Sequence, residues 1–175
     1  MTIKTIFLDR DGVINKEVNY LHNIEDCIFI NGIFESCRYF QKLGYQFIVI
    51  TNQSGIHRGY YSDNDFQILT EWMLDQFTQK GVNILDFFYC PHGPKSNCKC
   101  RKPQPGMILE AKAKHNINME SSWMIGDNEI DIIAANKAGI NNTILLKTDY
   151  KFSQSSSNAK IILDSLLQTK QAITS

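Results

Sequence analysis

Two aspartates one residue apart close an apolar run in Ile6-Phe7-Leu8-Asp9-Arg10-Asp11-Gly12. In extended backbone, residues i and i+2 point the same way, so both carboxylates leave the strand end on one side. Gly12 lets the chain turn away where a side chain would obstruct it. Two like charges this close repel, and one resists ionising unless a cation lies between them. A hard divalent ion with oxygen ligands removes the conflict, and Mg2+ is the usual one. A carboxylate can also attack phosphorus and form an aspartyl-phosphate. Asp9 is the candidate nucleophile. Asp11 can protonate the leaving oxygen and then deprotonate the water that cleaves the intermediate. Taken alone, so short a motif also fits a loop of solvated aspartates after a strand.

Further residues suit the same chemistry. Phosphoryl transfer needs positioning and charge neutralisation above all. Thr51 offers a hydroxyl and Lys102 an ammonium to phosphoryl oxygens, and Asp127 would join Asp9 and the backbone carbonyl of Asp11 around Mg2+. Each alone also reads blandly, as a strand-end hydroxyl or a surface lysine. A second metal is indicated by Cys90-x-His92-x5-Cys98-x-Cys100, three thiolates and an imidazole in one loop. Four such ligands make a closed tetrahedral Zn2+ site with no open position, hence a structural one. It would pin the loop just before Arg101 and Lys102.

The elements that must position these groups alternate. Thr5-Ile6-Phe7-Leu8 reads as a fully buried strand. Asn15 to Cys27 is a loop, with Cys27 outside the thiolate cluster and expected to be buried. Ile33, Phe34, Cys37, Phe40 and Leu43 recur at helical spacing before Gly44. Phe47–Ile50 is a second strand, leading through Thr51-Asn52-Gln53-Ser54-Gly55 and a loop to Ser62, a good N-cap. Phe66, Leu69, Met73 and Phe77 then recur as a buried helix face, closed by Gly81. Ile84–Tyr89 is a third strand, followed by a loop from Gly93 to Pro105. Pro105 can start a helix with Met107, Ile108 and Ala111 inward. Trp123–Ile125 is a fourth strand, and Ile130, Ile133, Ala134 and Ala138 are expected on the inner face of the helix after it. A fifth strand falls at Thr143–Leu146, and a short strand plus helix at Ala159 to Leu167. Residues 151–158 are polar and serine-rich, expected to be a mobile loop.

Alternating strands and helices predict an α/β fold, a doubly wound, Rossmann-like parallel sheet covered on both faces. Ligands bind such sheets outside the carboxyl ends of the strands. Here those ends deliver Asp9 and Asp11, Thr51, Cys90 and Asp127. The 175 residues suit a single domain and carry zero formal net charge. No basic field is available for nucleic acid or anionic membrane, and no run is long enough to span a bilayer. The N-terminus shows no signal-peptide pattern, so a reducing cytoplasm is expected. No insertion is large enough for a separate cap domain. The pocket should be open, shaped by small loops, and suited to a small phosphorylated metabolite acted on by a monomer.

The ordered set Asp9-x-Asp11-Gly12, Thr51, Lys102 and Gly126-Asp127 with Asp131 four residues on resembles the four motifs of the haloacid dehalogenase phosphatase superfamily, from about residue 5 to residue 146. With the thiolate cluster, it resembles the branch of histidinol-phosphate and heptose-bisphosphate phosphatases. The resemblance implies that Glu17, Val18, Asn19 and Tyr20, with Thr51, Asn52, Gln53, Ser54 and Arg101, line the substrate site. It also implies that Asn128 lies beside the Mg2+. Asp131 either stiffens the metal site or caps or faces solvent on its helix.

Two substrate classes stay open within that branch. Thr51-Asn52-Gln53-Ser54-Gly55-Ile56-x-Arg58-Gly59 and Leu69-Thr70-Glu71-Trp72-Met73 are similar to the heptose enzymes. They imply removal of the 7-phosphate of a D-glycero-D-manno-heptose 1,7-bisphosphate, toward nucleotide-activated heptose for cell-surface glycans. Arg101 can give the second phosphate a bidentate fork. The five residues between His92 and Cys98 are closer to the histidinol-phosphate enzymes, and Glu17 could meet the cationic groups of that substrate. From other classes come a non-catalytic zinc-stabilised interaction module on the same fold and a phosphatase of nucleic-acid ends. The intact carboxylate set argues against the first, and the zero net charge against the second.

Overall fold

The computed structural model describes residues 1–148 and 156–174. The expected mobile loop at 151–158 therefore lies largely outside the described residues. The chain runs β1 (Thr5–Leu8), α1 (Ile33–Lys42), β2 (Gln46–Asn52), α2 (Ser54–His57), α3 (Asp63–Gln79) and β3 (Ile84–Cys90). It continues through α4 (Gly106–His115), β4 (Trp123–Gly126), α5 (Glu129–Lys137), β5 (Asn142–Leu146), β6 (Ile161–Leu163) and α6 (Thr169–Ala172). The strands form one sheet in the order β3-β2-β1-β4-β5-β6, with every neighbouring pair parallel. This is the doubly wound arrangement, and it reverses direction between β1 and β4.

Period-two alternation sends side chains to two cores. Ile6, Leu8, Phe47, Val49 and Ile125 pack on one face against α1 and α3, with Phe40, Leu69, Met73 and Phe77. Phe7, Ile48, Ile50 and Met124 pack on the other against α4 and α5, with Met107, Ile108, Ala111, Ala134 and Ala135. Continuous apolar strands are what a sheet covered on both faces requires. The Ser62 cap forms as expected: its hydroxyl accepts the Asp65 N–H, and the Asp65 carboxylate accepts the Ser62 N–H at 2.8 Å. Replacing such a cap by alanine typically costs about 1 kcal/mol.

Three expectations are corrected. The inner face of α5 is Asp131, Ile132, Ala134 and Ala135, while Ile130 and Ile133 are only half-buried. An ionic partner draws Asp131 inward, and the helix turns to suit it. The stretch after β2 is not all loop, because Ser54–His57 forms the single turn α2. Cys27 is half-buried at the margin of the first core, not enclosed like Cys37.

Candidate active site

β1 and β4 lie side by side at the reversal of the sheet, and the Asp9 N–H continues their ladder to the Ile125 carbonyl at 3.1 Å. Asp9 and Asp127 therefore emerge together. Their carboxylates and that of Asp131 offer oxygens all within 4.8 Å of one another, all three residues buried. Lys102 arrives from the loop between β3 and α4. Its ammonium meets Asp9 Oδ1 at 2.8 Å, Asp131 Oδ1 at 2.7 Å and the Ile50 carbonyl at 2.9 Å. It donates hydrogen bonds to Asp9 and to the Ile50 carbonyl, and pairs with Asp131 by charge.

Three carboxylates against one ammonium leave a deficit of positive charge. Burial, and then the Asp131 and Asp127 carboxylates, push Asp9 well above the usual carboxylate range, with Lys102 pulling the other way. For Lys102, burial opposes the charge, but Asp131 and Asp9 outweigh it and raise its pKa above that of ordinary lysine. A divalent cation at the carboxylates would restore the balance. The backbone leaves room for one arrangement of Asp127 in particular. Gly12 has φ +92°, and a Cβ there would stand 2.1 Å from Asp127 Oδ2. The donor set thus fits a hard ion with oxygen ligands.

Asp131 resolves its two readings into one. Its Oδ2 accepts the Asn128 N–H at 3.1 Å, capping α5, while Oδ1 takes Lys102. Asn128 faces the same hollow as Asp9 and Asp127, and its side-chain oxygen accepts the Ile130 N–H at 3.2 Å. Asp11 points beside this cluster. Its Oδ1 accepts from Arg10 Nη2 and Asn15 Nδ2, each at 3.0 Å, and its Oδ2 accepts from Gln53 Nε2 at 3.2 Å. Arg10 and Asn15 lie in a stretch, Asp9 to Asn15, that is similar to the heptose enzymes, but no role was expected of either. Arg10 is 1% exposed. A buried arginine directly before an acid is a signal in itself, since a buried charge needs a partner.

Around these groups is a cleft of two adjoining lobes. One, of about 260 Å³, is lined by Asp9, Thr51, Arg101, Lys102, Asp127 and Asn128. The other, of about 230 Å³, is lined by Arg10, Val18, Asn19, Tyr20, Gln53 and Tyr61. Asp11, Glu17, Asn52 and Ser54 belong to both. All the residues expected at the substrate site are thus gathered in one cleft. A wider hollow of about 640 Å³ lies between α2 and the cysteine loop, and its lining includes no carboxylate.

The cysteine loop is tied to the cleft. Cys90 Sγ lies 3.0 Å from Cys100 Sγ, 3.7 Å from Cys98 Sγ and 3.4 Å from His92 Nδ1. Metal–sulfur bonds of about 2.3 Å imply ligand separations of about 3.8 Å in a tetrahedron, so a small expansion would admit Zn2+. Desolvation pushes the Cys98 thiol up, but the Arg101 N–H, the Ser96 hydroxyl and the neighbouring thiols outweigh it and bring it to about 6. Next to the cluster, Asn52 clamps the Lys102 backbone. Its Oδ1 accepts the Lys102 N–H at 3.0 Å, and its Nδ2 donates to the Lys102 carbonyl at 3.1 Å. Arg101 Nη1 donates to the His92 carbonyl at 3.2 Å.

The chain is similar over most of its length to proteins of known name and fold. A family model described as HAD-hydrolase-like matches residues 99–169. The chain is 48% identical over 164 residues to D-glycero-alpha-D-manno-heptose-1,7-bisphosphate 7-phosphatase of Photorhabdus laumondii, covering 90% of each chain. The chain belongs to the heptose-bisphosphate phosphatase family of HAD-like hydrolases. It is also 46% identical to the beta-anomer 7-phosphatase of Helicobacter pylori, over 83% of this chain and 84% of that one. Among solved structures, the D,D-heptose 1,7-bisphosphate phosphatase of B. bronchiseptica, complexed with magnesium and phosphate, superposes with a TM-score of 0.83 at 25% identity and covers 97% of each chain. The parallel, doubly wound sheet is the fold shared with this neighbour. Among the described residues, no helix is long and apolar enough to cross a membrane.

Proposed function

We propose that this chain removes the 7-phosphate of a D-glycero-D-manno-heptose 1,7-bisphosphate. The observation that carries the reading is the two-lobed cleft, with Asp9 at one end and Val18 to Tyr20 at the other. Such a cleft can hold a phosphoryl group at the carboxylates while the rest of a sugar phosphate reaches into the second lobe. The names of the relatives at 46% and 48% identity support the same substrate.

Asp9 attacks phosphorus, and the bond to the sugar oxygen breaks as the aspartyl-phosphate forms. Asp11 gives its proton to that oxygen, then takes one from the water that attacks the intermediate, releasing orthophosphate and restoring Asp9. Thr51 donates its hydroxyl to a phosphoryl oxygen. Lys102 holds Asp9 in line and neutralises charge as it develops. Asp9, Asp127 and the Asp11 carbonyl would hold Mg2+, with Asn128 beside it. When bound, the ion supplies positive charge to the phosphoryl oxygens and screens the carboxylates from one another. Cys90, His92, Cys98 and Cys100 would hold one Zn2+ that fixes the direction of Arg101 and Lys102. Thiolates stay available for that role in a reducing cytoplasm. Arg101 lines the first lobe and is the candidate donor to substrate hydroxyls near the transferred group, and every residue invoked comes from one chain.

The test is kcat/KM for heptose 1,7-bisphosphate and for histidinol phosphate at equal Mg2+. We expect the bisphosphate to be favoured. An advantage of tenfold or more for histidinol phosphate, about 1.4 kcal/mol in transition-state binding, would overturn the assignment.

A further inference from the structure

Gln53 stands outside the bond-making chemistry, yet it touches both side chains that handle protons and phosphoryl oxygens. It is 3% exposed, and its amide is spent inside the protein. Nε2 donates to Thr51 Oγ1 at 2.8 Å and to Asp11 Oδ2 at 3.2 Å. Oε1 accepts the hydroxyl of Tyr61. An amide donates only from nitrogen and accepts only at oxygen, so its orientation sets the polarity of all three contacts. In the orientation observed, Thr51 Oγ1 is an acceptor toward Gln53, and its one hydrogen is left for another oxygen. Turned over, the amide would set its oxygen against the Asp11 carboxylate and draw the Thr51 hydrogen back to itself.

The Tyr61 seat is built around this contact. The ring is 6% exposed and stacks on the His22 imidazole, with centroids 5.2 Å apart and planes 10° from parallel. Gly55 makes room for it: a Cβ there would lie 2.1 Å from Tyr61 Cε1. Burial, only partly offset by Arg10, pushes the phenol up to about 12, so it keeps its hydrogen at neutral pH.

We infer that Gln53 and Tyr61 are positioning residues of the hydrolysis. The Tyr61 hydroxyl fixes the Gln53 amide, and the amide turns the Thr51 hydrogen toward the transferred phosphoryl group and steadies Asp11 at the leaving oxygen. The polarity runs one way, from the phenol O–H to the amide, to the threonine O–H, to the phosphoryl oxygen. This rests on the phosphatase reading but not on the heptose substrate.

The test compares Tyr61→Phe, Gln53→Leu and the double variant, on heptose 1,7-bisphosphate and on p-nitrophenyl phosphate. Tyr61→Phe keeps the ring and its stacking and removes only the donor. We expect it to lower kcat about tenfold while KM stays within about twofold, because a buried amide oxygen is left without a donor. Gln53→Leu should cost about a hundredfold in kcat, as loss of a preorganised donor does. The double variant should be no slower than Gln53→Leu alone, since Tyr61 acts through the amide. A Tyr61→Phe enzyme with unchanged kcat, a loss confined to KM, or additive losses in the double variant would overturn the inference. Wild-type turnover of p-nitrophenyl phosphate without turnover of the bisphosphate would refute the heptose reading instead, and the variants would then be compared on the generic ester.

Discussion

Lys102→Met removes the only ammonium that meets both Asp9 and Asp131 among the described residues. The side chain keeps its length and apolar stem, so packing changes little. What changes is charge: two buried carboxylates lose a cation 2.8 Å and 2.7 Å away, and the Ile50 carbonyl loses its donor. Breaking a buried ion pair from one side typically costs about 3–5 kcal/mol. For a domain of this size each kcal/mol moves Tm by roughly 2–4 °C, so a fall of roughly 6–20 °C follows. The sign of the pH dependence is fixed. Lys102 has a raised folded pKa, so its contribution is fully present below the unfolded value of 10.5 and is lost only as pH rises through the folded pKa. The wild type thus keeps it at neutral pH. In the variant, Asp9 is pushed further up and escapes the penalty only by binding a proton. The gap between the two proteins should therefore narrow as pH falls. Mg2+ should narrow it as well, by replacing the missing positive charge. Thermal unfolding followed by circular dichroism at several pH values, with and without Mg2+, reads all of this. A variant as stable as wild type at pH 8 without Mg2+ would refute the reasoning.

Gly12→Ala should raise the Mg2+ concentration needed for half-maximal activity more than tenfold. The new Cβ would displace Asp127 and carry left-handed strain of roughly 1–2 kcal/mol. An unchanged Mg2+ titration would show that Asp127 has another place to go. Elemental analysis after dialysis should find one zinc per chain, and Cys98→Ser should lose it and unfold at lower temperature. A zinc-free wild type as stable as the variant would make the cluster incidental. Asp65→Asn should weaken the start of α3. The Ser62 backbone and hydroxyl hold the Asp65 carboxyl below its ordinary 3.8, so its contribution is present above that value and is lost as pH falls through the folded pKa. The Tm difference from wild type should accordingly be present at pH 7 and shrink as pH falls below 3.8.

Much of this was legible because the sequence pattern and the packing obey the same rule. A buried strand must be apolar until it reaches water, so Leu8-Asp9 marks both the end of β1 and the start of the chemistry. The cysteine loop was legible because its three cysteines and one histidine lie close along the chain. The face of α5 was not. Periodicity counts an acidic residue as outward, whereas Asp131 is drawn inward by Lys102, 29 residues earlier in the chain. The contact of Tyr61 with Gln53 left no periodic trace either. Both sit in irregular backbone, and a tyrosine that packs and one that donates a hydrogen bond read alike. The short spacing between His92 and Cys98 pointed toward histidinol phosphate, while the relatives at 46% and 48% identity are heptose enzymes.

The central claim is that the cleft removes one particular phosphate of a heptose bisphosphate. Its most direct test is 31P NMR of D-glycero-D-manno-heptose 1,7-bisphosphate incubated with the protein and Mg2+, with the Asp9→Asn variant alongside. We expect the 7-phosphate resonance to disappear, orthophosphate to appear in equal amount and the 1-phosphate to remain, with no change in the variant. Loss of the 1-phosphate, an unaltered bisphosphate, or turnover by Asp9→Asn at the wild-type rate would contradict it.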